Sequence, residues 1–143
     1  MNQRDIIIYT DGGISPVAAG AAIVVADHAR SILSIASKTL PQMTNNEAEY
    51  AALIMALNAA AALGGEVVQI RMDSEVVVYQ MAGRFAVNSP RLRRWYRQAC
   101  EATQRLPKVG FRHVPRAWNP LADALARQAG LPWAALRAQL EKE

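Results

Sequence analysis

Asp11, Glu49, Asp73 and Asp123 are four carboxylates spread over more than a hundred positions, yet each lies at an edge of a periodic segment. Asp11 follows the apolar run Ile6-Ile7-Ile8-Tyr9-Thr10, and Asp73 follows Val67-Val68-Gln69-Ile70-Arg71-Met72. Glu49 and Asp123 each fall one turn into a helix-like stretch. A carboxylate at the end of a buried strand is costly unless something positive meets it. Hard divalent cations bind through such oxygens, and a pair of them can assist displacement at a phosphorus atom. The chemistry these residue types point to is therefore metal-assisted.

Each group also has a plainer role. Asp is common where strands give way to turns, so Asp11 and Asp73 can each be turn residues. They act together only if their strands are neighbours with both carboxylates at the carboxyl ends, where open α/β sheets place ligand sites. Asp123 can pair with Arg127 at i,i+4, worth about 0.3–0.5 kcal/mol, or serve as a fourth ligand carried by a helix; the residues leave both open. Glu47 competes with Glu49. Glu49 shares a helical stripe with Leu53, Ala56, Leu57 and Ala60 and so points toward the sheet. Glu47 lies about 200° round the helix and completes a Thr44-x-x-Glu47 capping box. His113 reads as a packed or hydrogen-bonded strand residue, and no His/Cys spacing suggests zinc.

The elements that must position these groups follow from punctuation and period. Residues 5 to 10 read as a buried strand that Gly12-Gly13 turn the chain out of, and 18 to 26 and 31 to 40 complete an antiparallel meander. Thr44 opens a helix that runs to about Leu63 and stops at Gly64-Gly65. A strand over 67–72 and a short helix over 74–81 come next. Ser89-Pro90 begins a helix to about Leu106, with Leu92, Trp95, Tyr96, Ala99 and Leu106 as its apolar stripe. Arg91, Arg93, Arg94 and Arg97 occupy the rest of its surface, as a phosphate grip or as a solvated face. Residues 109 to 114 read as the last strand. Asn119-Pro120 starts a helix to about Gln128, and a short amphipathic helix is expected from Leu131 onward.

Composition sets the limits. The chain has 143 residues, 52% of them hydrophobic, enough for one domain with a real core and too many for a disordered chain. The apolar stretch from Ala51 to Leu63 is too short to span a membrane, and no signal peptide is read at Met1. A single cysteine, Cys100, excludes an intramolecular disulfide and suits a reducing, cytoplasmic setting. The net charge of +4 favours a polyanionic partner.

Taken in order, Tyr9-Thr10-Asp11-Gly12-Gly13, Thr44-Asn45-Asn46-Glu47-Ala48-Glu49, Met72-Asp73-Ser74 and Asn119-Pro120-Leu121-Ala122-Asp123 resemble the motifs of the type 1 ribonuclease H family. The similarity extends from about Ile6 to Gln128, and the segment His113-Val114-Pro115-Arg116 resembles the family's shorter bacterial and archaeal members. It implies an α/β ribonuclease H-like fold: a five-stranded mixed sheet of order 3-2-1-4-5 with helices on both faces. One domain would cover 1–143, with 131–143 as a tail. The resemblance further implies an endoribonuclease that cuts the RNA strand of RNA–DNA hybrids, leaving 5′-phosphate and 3′-hydroxyl ends; no obligate protein partner is evident, and a monomer is expected. Asp11, Glu49, Asp73 and Asp123 become the catalytic ligands of two Mg²⁺ ions, for which Mn²⁺ can substitute. One ion favours the attacking hydroxide and the other the leaving 3′ oxygen.

The same resemblance assigns substrate contacts. Asn45 and Asn46 match asparagines that touch a nucleic-acid strand. Gly12 and Gly13 let the backbone approach a ribose, whose 2′-hydroxyl separates RNA from DNA. Two family features are missing. No histidine lies between Val114 and Asp123, and Arg116 is a partial substitute that cannot shuttle protons. A long basic insertion is also absent, leaving Arg91 and Arg94 as a reduced version. The competing readings are a non-catalytic nucleic-acid-binding module and a different nuclease on the same scaffold. Clustered negative charge opposes the first, and Thr44-Asn45-Asn46 opposes the second.

Overall fold

The computed structural model describes residues 4–29 and 31–129. Three strands come first, β1 (Asp5–Ile14), β2 (Ala19–Asp27) and β3 (Ile32–Leu40), followed by α1 (Asn45–Ala62). Then come β4 (Val67–Met72), α2 (Glu75–Met81), α3 (Pro90–Thr103) and β5 (Lys108–His113). A 3-10 turn, Arg116–Trp118, leads into α4 (Pro120–Ala129). The expectation of a helix from Leu131 onward lies outside the described residues. Among the described residues no helix is long and apolar enough to cross a membrane.

The five strands form one sheet in the order β3-β2-β1-β4-β5. β1 pairs antiparallel with β2 and parallel with β4, and β4 pairs parallel with β5. This mixed pattern follows from the connections: short turns join the meander strands, while helices carry the chain back for each parallel strand. Side chains alternate across the sheet. Ile6, Ile8, Val68, Ile70 and Met72 face a core shared with Tyr50, Leu53 and Leu57 of α1 and Ala99 and Ala102 of α3. On the other face α4 packs over β1, β2 and β3.

The helix starts are set by side chains that satisfy free amides. Thr44 accepts from the Glu47 amide while the Glu47 carboxylate accepts from the Thr44 amide, completing the capping box at α1. Ser74 caps α2, and Ser89 caps α3 with Pro90 following it. Gly64, at φ 70°, takes the left-handed conformation that stops α1.

One boundary differs with consequence for the site. β1 does not end at Thr10; it runs through Asp11, Gly12 and Gly13 to Ile14, all paired with β2. Gly12 is therefore no turn residue. A Cβ there would sit 2.3 Å from the Ala48 carbonyl group of α1, so the glycine lets helix and strand backbones touch. α3 likewise ends at Thr103, short of the expected Leu106, although Leu106 still reaches the core.

Candidate active site

Parallel pairing places Thr10 opposite Met72, so the next residues, Asp11 and Asp73, stand side by side just past the last β1–β4 pair, Asp73 at the end of β4 and Asp11 where β1 continues along β2 alone. Glu49 reaches the same point from α1, because the helix lies directly on Gly12. The Gly12 amide donates to Glu49 Oε1 at 2.7 Å, and Glu49 is only 2% exposed. Carboxylate oxygens of Asp11, Glu49 and Asp73 come within 4.8 Å of one another. Three residues from three elements thus meet at one point.

Asp123 is on the first turns of α4 and lines the same cavity, about 640 Å³, without joining that tight triad. Its Oδ2 is 3.2 Å from Arg127, the i,i+4 pair the spacing allows. Of the two roles open to Asp123, the structure shows the pair with Arg127. Its helix is set by Asn119, which is 2% exposed and donates from Nδ2 to the Thr10 carbonyl at 2.8 Å. The Asp123 amide then donates to the Asn119 carbonyl. Sequence reasoning named Asn119 only as a cap. Its tether to β1 spans 109 residues and leaves no local trace in the sequence.

Crowded carboxylates respond as electrostatics requires. Burial raises Asp11 to about 10, with the neighbouring Glu49 adding to the rise. Burial also lifts Glu49, to about 7, against the hydrogen bonds from Asp11 and the Gly12 amide. Asp73 is raised by burial, opposed first by the Arg116 guanidinium. Arg116 Nε lies 3.8 Å from Asp73 Oδ2. Glu49 Oε2 and Asp73 Oδ2 are buried with no hydrogen-bond partner. An all-oxygen donor set with orphaned buried oxygens and a deficit of positive charge fits a hard divalent cation.

The remaining sequence candidates divide. Gly12, Gly13, Asn45 and Arg116 line the cavity beside the carboxylates, as do Ser15 and Ser74, which sequence reasoning did not single out. Asn46, Arg91 and Arg94 do not line it. Arg91 and Arg94 border a separate cleft of about 290 Å³ with Glu47, Trp95 and Gln98. His113 corrects an expectation: its side chain is exposed at the end of β5 rather than packed, because its strand is the sheet edge.

Comparison with known proteins agrees with this geometry. Residues 10–129 match the family model described as reverse transcriptase-like. Ribonuclease HI of Halobacterium salinarum is 41% identical over 118 residues, covering 82% of this chain and 58% of that protein. The N-terminal RNase H domain of a Mycobacterium tuberculosis protein superposes with a TM-score of 0.86 at 34% identity, covering 96% of this chain and 99% of that one. LC11-RNase H1, solved in complex with an RNA/DNA hybrid, gives a TM-score of 0.82 at 37% identity, covering 87% and 95%. The chain spans 35% of the length of the mycobacterial bifunctional relative, so likeness extends to one part of that protein.

Proposed function

Since this chain belongs to the ribonuclease HI family, we propose that it is a metal-dependent endoribonuclease that hydrolyses the RNA strand of RNA–DNA hybrids. The observation that carries this reading is the meeting of Asp11, Glu49 and Asp73 within 4.8 Å, with Asp123 in the same cavity. Binding of an RNA/DNA hybrid by LC11-RNase H1, a relative of the same fold, supports the substrate class.

In this reading Asp11, Glu49 and Asp73 hold Mg²⁺, with Asp123 completing the set for a second ion. Divalent ions at such a site supply Lewis acidity and offset the charge that builds up at phosphorus. The chain's own residues do the positioning. The Gly12 amide fixes Glu49 Oε1 and leaves Oε2 directed into the cluster. Arg116 sits beside Asp73 at the cavity wall, where it can meet a phosphate oxygen. Gly13 and Asn45 line the approach. The reaction adds a water oxygen to phosphorus and breaks the bond to O3′. The phosphate stays on O5′ of the downstream fragment, and the departing O3′ of the upstream fragment gains a proton to become a hydroxyl. Asp123 is the group at the rim of the triad, more accessible than Asp73. The finer reading is one monomeric ribonuclease H domain acting in the cytoplasm, with Mn²⁺ able to replace Mg²⁺.

The test is incubation with end-labelled RNA–DNA hybrid, duplex RNA and duplex DNA, with and without Mg²⁺. Cleavage of the hybrid's RNA strand alone, only with the ion present, is the expected result. Binding without cleavage in Mg²⁺ or Mn²⁺ would favour a non-catalytic module instead.

A further inference from the structure

Glu47 is as buried as a core residue, at 8% exposure, although a helix cap needs no burial. Its two oxygens serve different elements. Oε1 accepts from the Thr44 amide at 3.1 Å and the Thr44 hydroxyl at 3.0 Å, both at the start of α1. Oε2 accepts from Trp95 Nε1 of α3 at 3.0 Å. Arg91, one turn before Trp95, places Nη1 3.7 Å from Oε1. One carboxylate therefore joins the first turn of α1 to the first turns of α3.

The rest of the α1–α3 contact lacks direction. The fully buried side chains of α3 are Ala99 and Ala102, and Leu92, Trp95 and Tyr96 pack only partly against the core. Small apolar contacts allow close approach while specifying rotation and register weakly; a buried polar contact supplies that register. At the far end Arg105 donates to Asn58 of α1, well away from the carboxylates. Near the site, the Trp95–Glu47 bond is what fixes how α3 sits.

We propose that Glu47 and Trp95 are positioning residues that set the arginine face of α3 against the start of α1, so that one nucleic-acid backbone meets Asn45 and Asn46 together with Arg91 and Arg94. The inference rests on the reading that those asparagines and arginines contact the hybrid. The cleft of about 290 Å³ lined by Glu47, Arg91, Arg94, Trp95 and Gln98 is the space this bracket holds open.

Steady-state cleavage of a labelled hybrid tests it, with melting measured on the same samples. Trp95→Phe keeps a ring for packing and removes the donor; Glu47→Gln keeps the shape and sets an amide where one oxygen must accept. Each should raise KM about three- to tenfold, the range for the net loss of one intramolecular hydrogen bond, with kcat within twofold. The double variant should raise KM no further than the larger single effect, since both break the same bond. Asn58→Ala, which loosens the far end of α3, should leave KM within twofold. Unchanged KM in folded Trp95→Phe, additive effects in the double variant, or an equal rise in Asn58→Ala would each overturn the proposal. Arg91→Gln with Arg94→Gln separates the two layers. If that pair leaves KM unchanged, the hybrid-contact reading fails and the bracket loses its purpose. If it raises KM while Trp95→Phe does not, only the bracket fails.

Discussion

Gly12 and His113 show how differently single residues carry this site. A methyl group at Gly12 would overlap the Ala48 carbonyl carbon and oxygen, which are backbone atoms unable to rotate away. Gly12→Ala should therefore push α1 off the strand, destabilise the fold by about 3 kcal/mol and misplace Glu49. Differential scanning calorimetry with a hybrid cleavage assay checks both; unchanged melting and turnover would mean the helix yields freely there. The His113 side chain is exposed, so His113→Ala should change stability by less than about 0.5 kcal/mol. Single-turnover cleavage per folded molecule should fall less than tenfold, because a strand residue lacks the reach of a mobile loop. A hundredfold fall with unchanged melting would bring His113 into the chemistry. Glu49 was legible as a site residue because its helical stripe is otherwise apolar. The second partner of Glu47 was not, because Trp95 lies 48 residues away on another helix.

At the scale of elements, local rules worked where local chemistry decides. The capping box at Thr44, the caps at Ser74 and Ser89, and the stop at Gly64 all stand where side-chain and backbone preferences put them. They failed at β1, where Gly12-Gly13 looked like a turn. The pairing with β2 and the contact with α1 keep those glycines in the strand, and both partners are distant in sequence. On α3, Arg91 and Arg94 line their own cleft, apart from the carboxylate cavity. Hybrid binding should weaken steeply with salt as phosphate contacts release counterions. Replacing both arginines by glutamine should lower the slope of log K against log salt by about 2 if each meets one phosphate. Fluorescence anisotropy in a salt series measures it, and an unchanged slope in the folded double variant would make this a solvated face.

The molecule as a whole stores the strain of bringing like charges together. Asp11 and Glu49 have folded-state values, about 10 and about 7, that lie above the ordinary carboxylate range. A carboxyl raised on folding contributes stability below its unfolded value and loses that contribution as pH rises toward and through the folded value. Metal-free protein should thus lose stability from about pH 4.5 upward, through about pH 7 for Glu49 and onward for Asp11. A divalent cation competes with those protons, so 10 mM Mg²⁺ (about that concentration) should raise the melting temperature more at pH 9 than at pH 5. Equal shifts at both pH values, or a metal-free melting temperature that climbs from pH 6 to 9, would contradict a cation site built on this cluster. A mixed sheet with helices packed on it was readable from three meander strands followed by strand–helix alternation, whereas its order and its two helical layers followed from the resemblance to ribonuclease H sequences. The depth of the carboxylate cluster was not readable, because burial belongs to the assembled sheet and helices.

The most direct test of the account is single-turnover cleavage of a labelled RNA–DNA hybrid by Glu49→Gln and Glu47→Gln side by side in Mg²⁺, with circular dichroism melting on both. Losing a metal ligand removes several kcal/mol of transition-state stabilisation, whereas disturbing a cap and its neighbouring bond costs about 1 kcal/mol of stability. The account predicts that Glu49→Gln folds and is inactive, as are Asp11→Asn and Asp73→Asn, while Glu47→Gln keeps most of its cleavage rate at saturating substrate. Near-normal cleavage by Glu49→Gln together with an inactive, folded Glu47→Gln would contradict it.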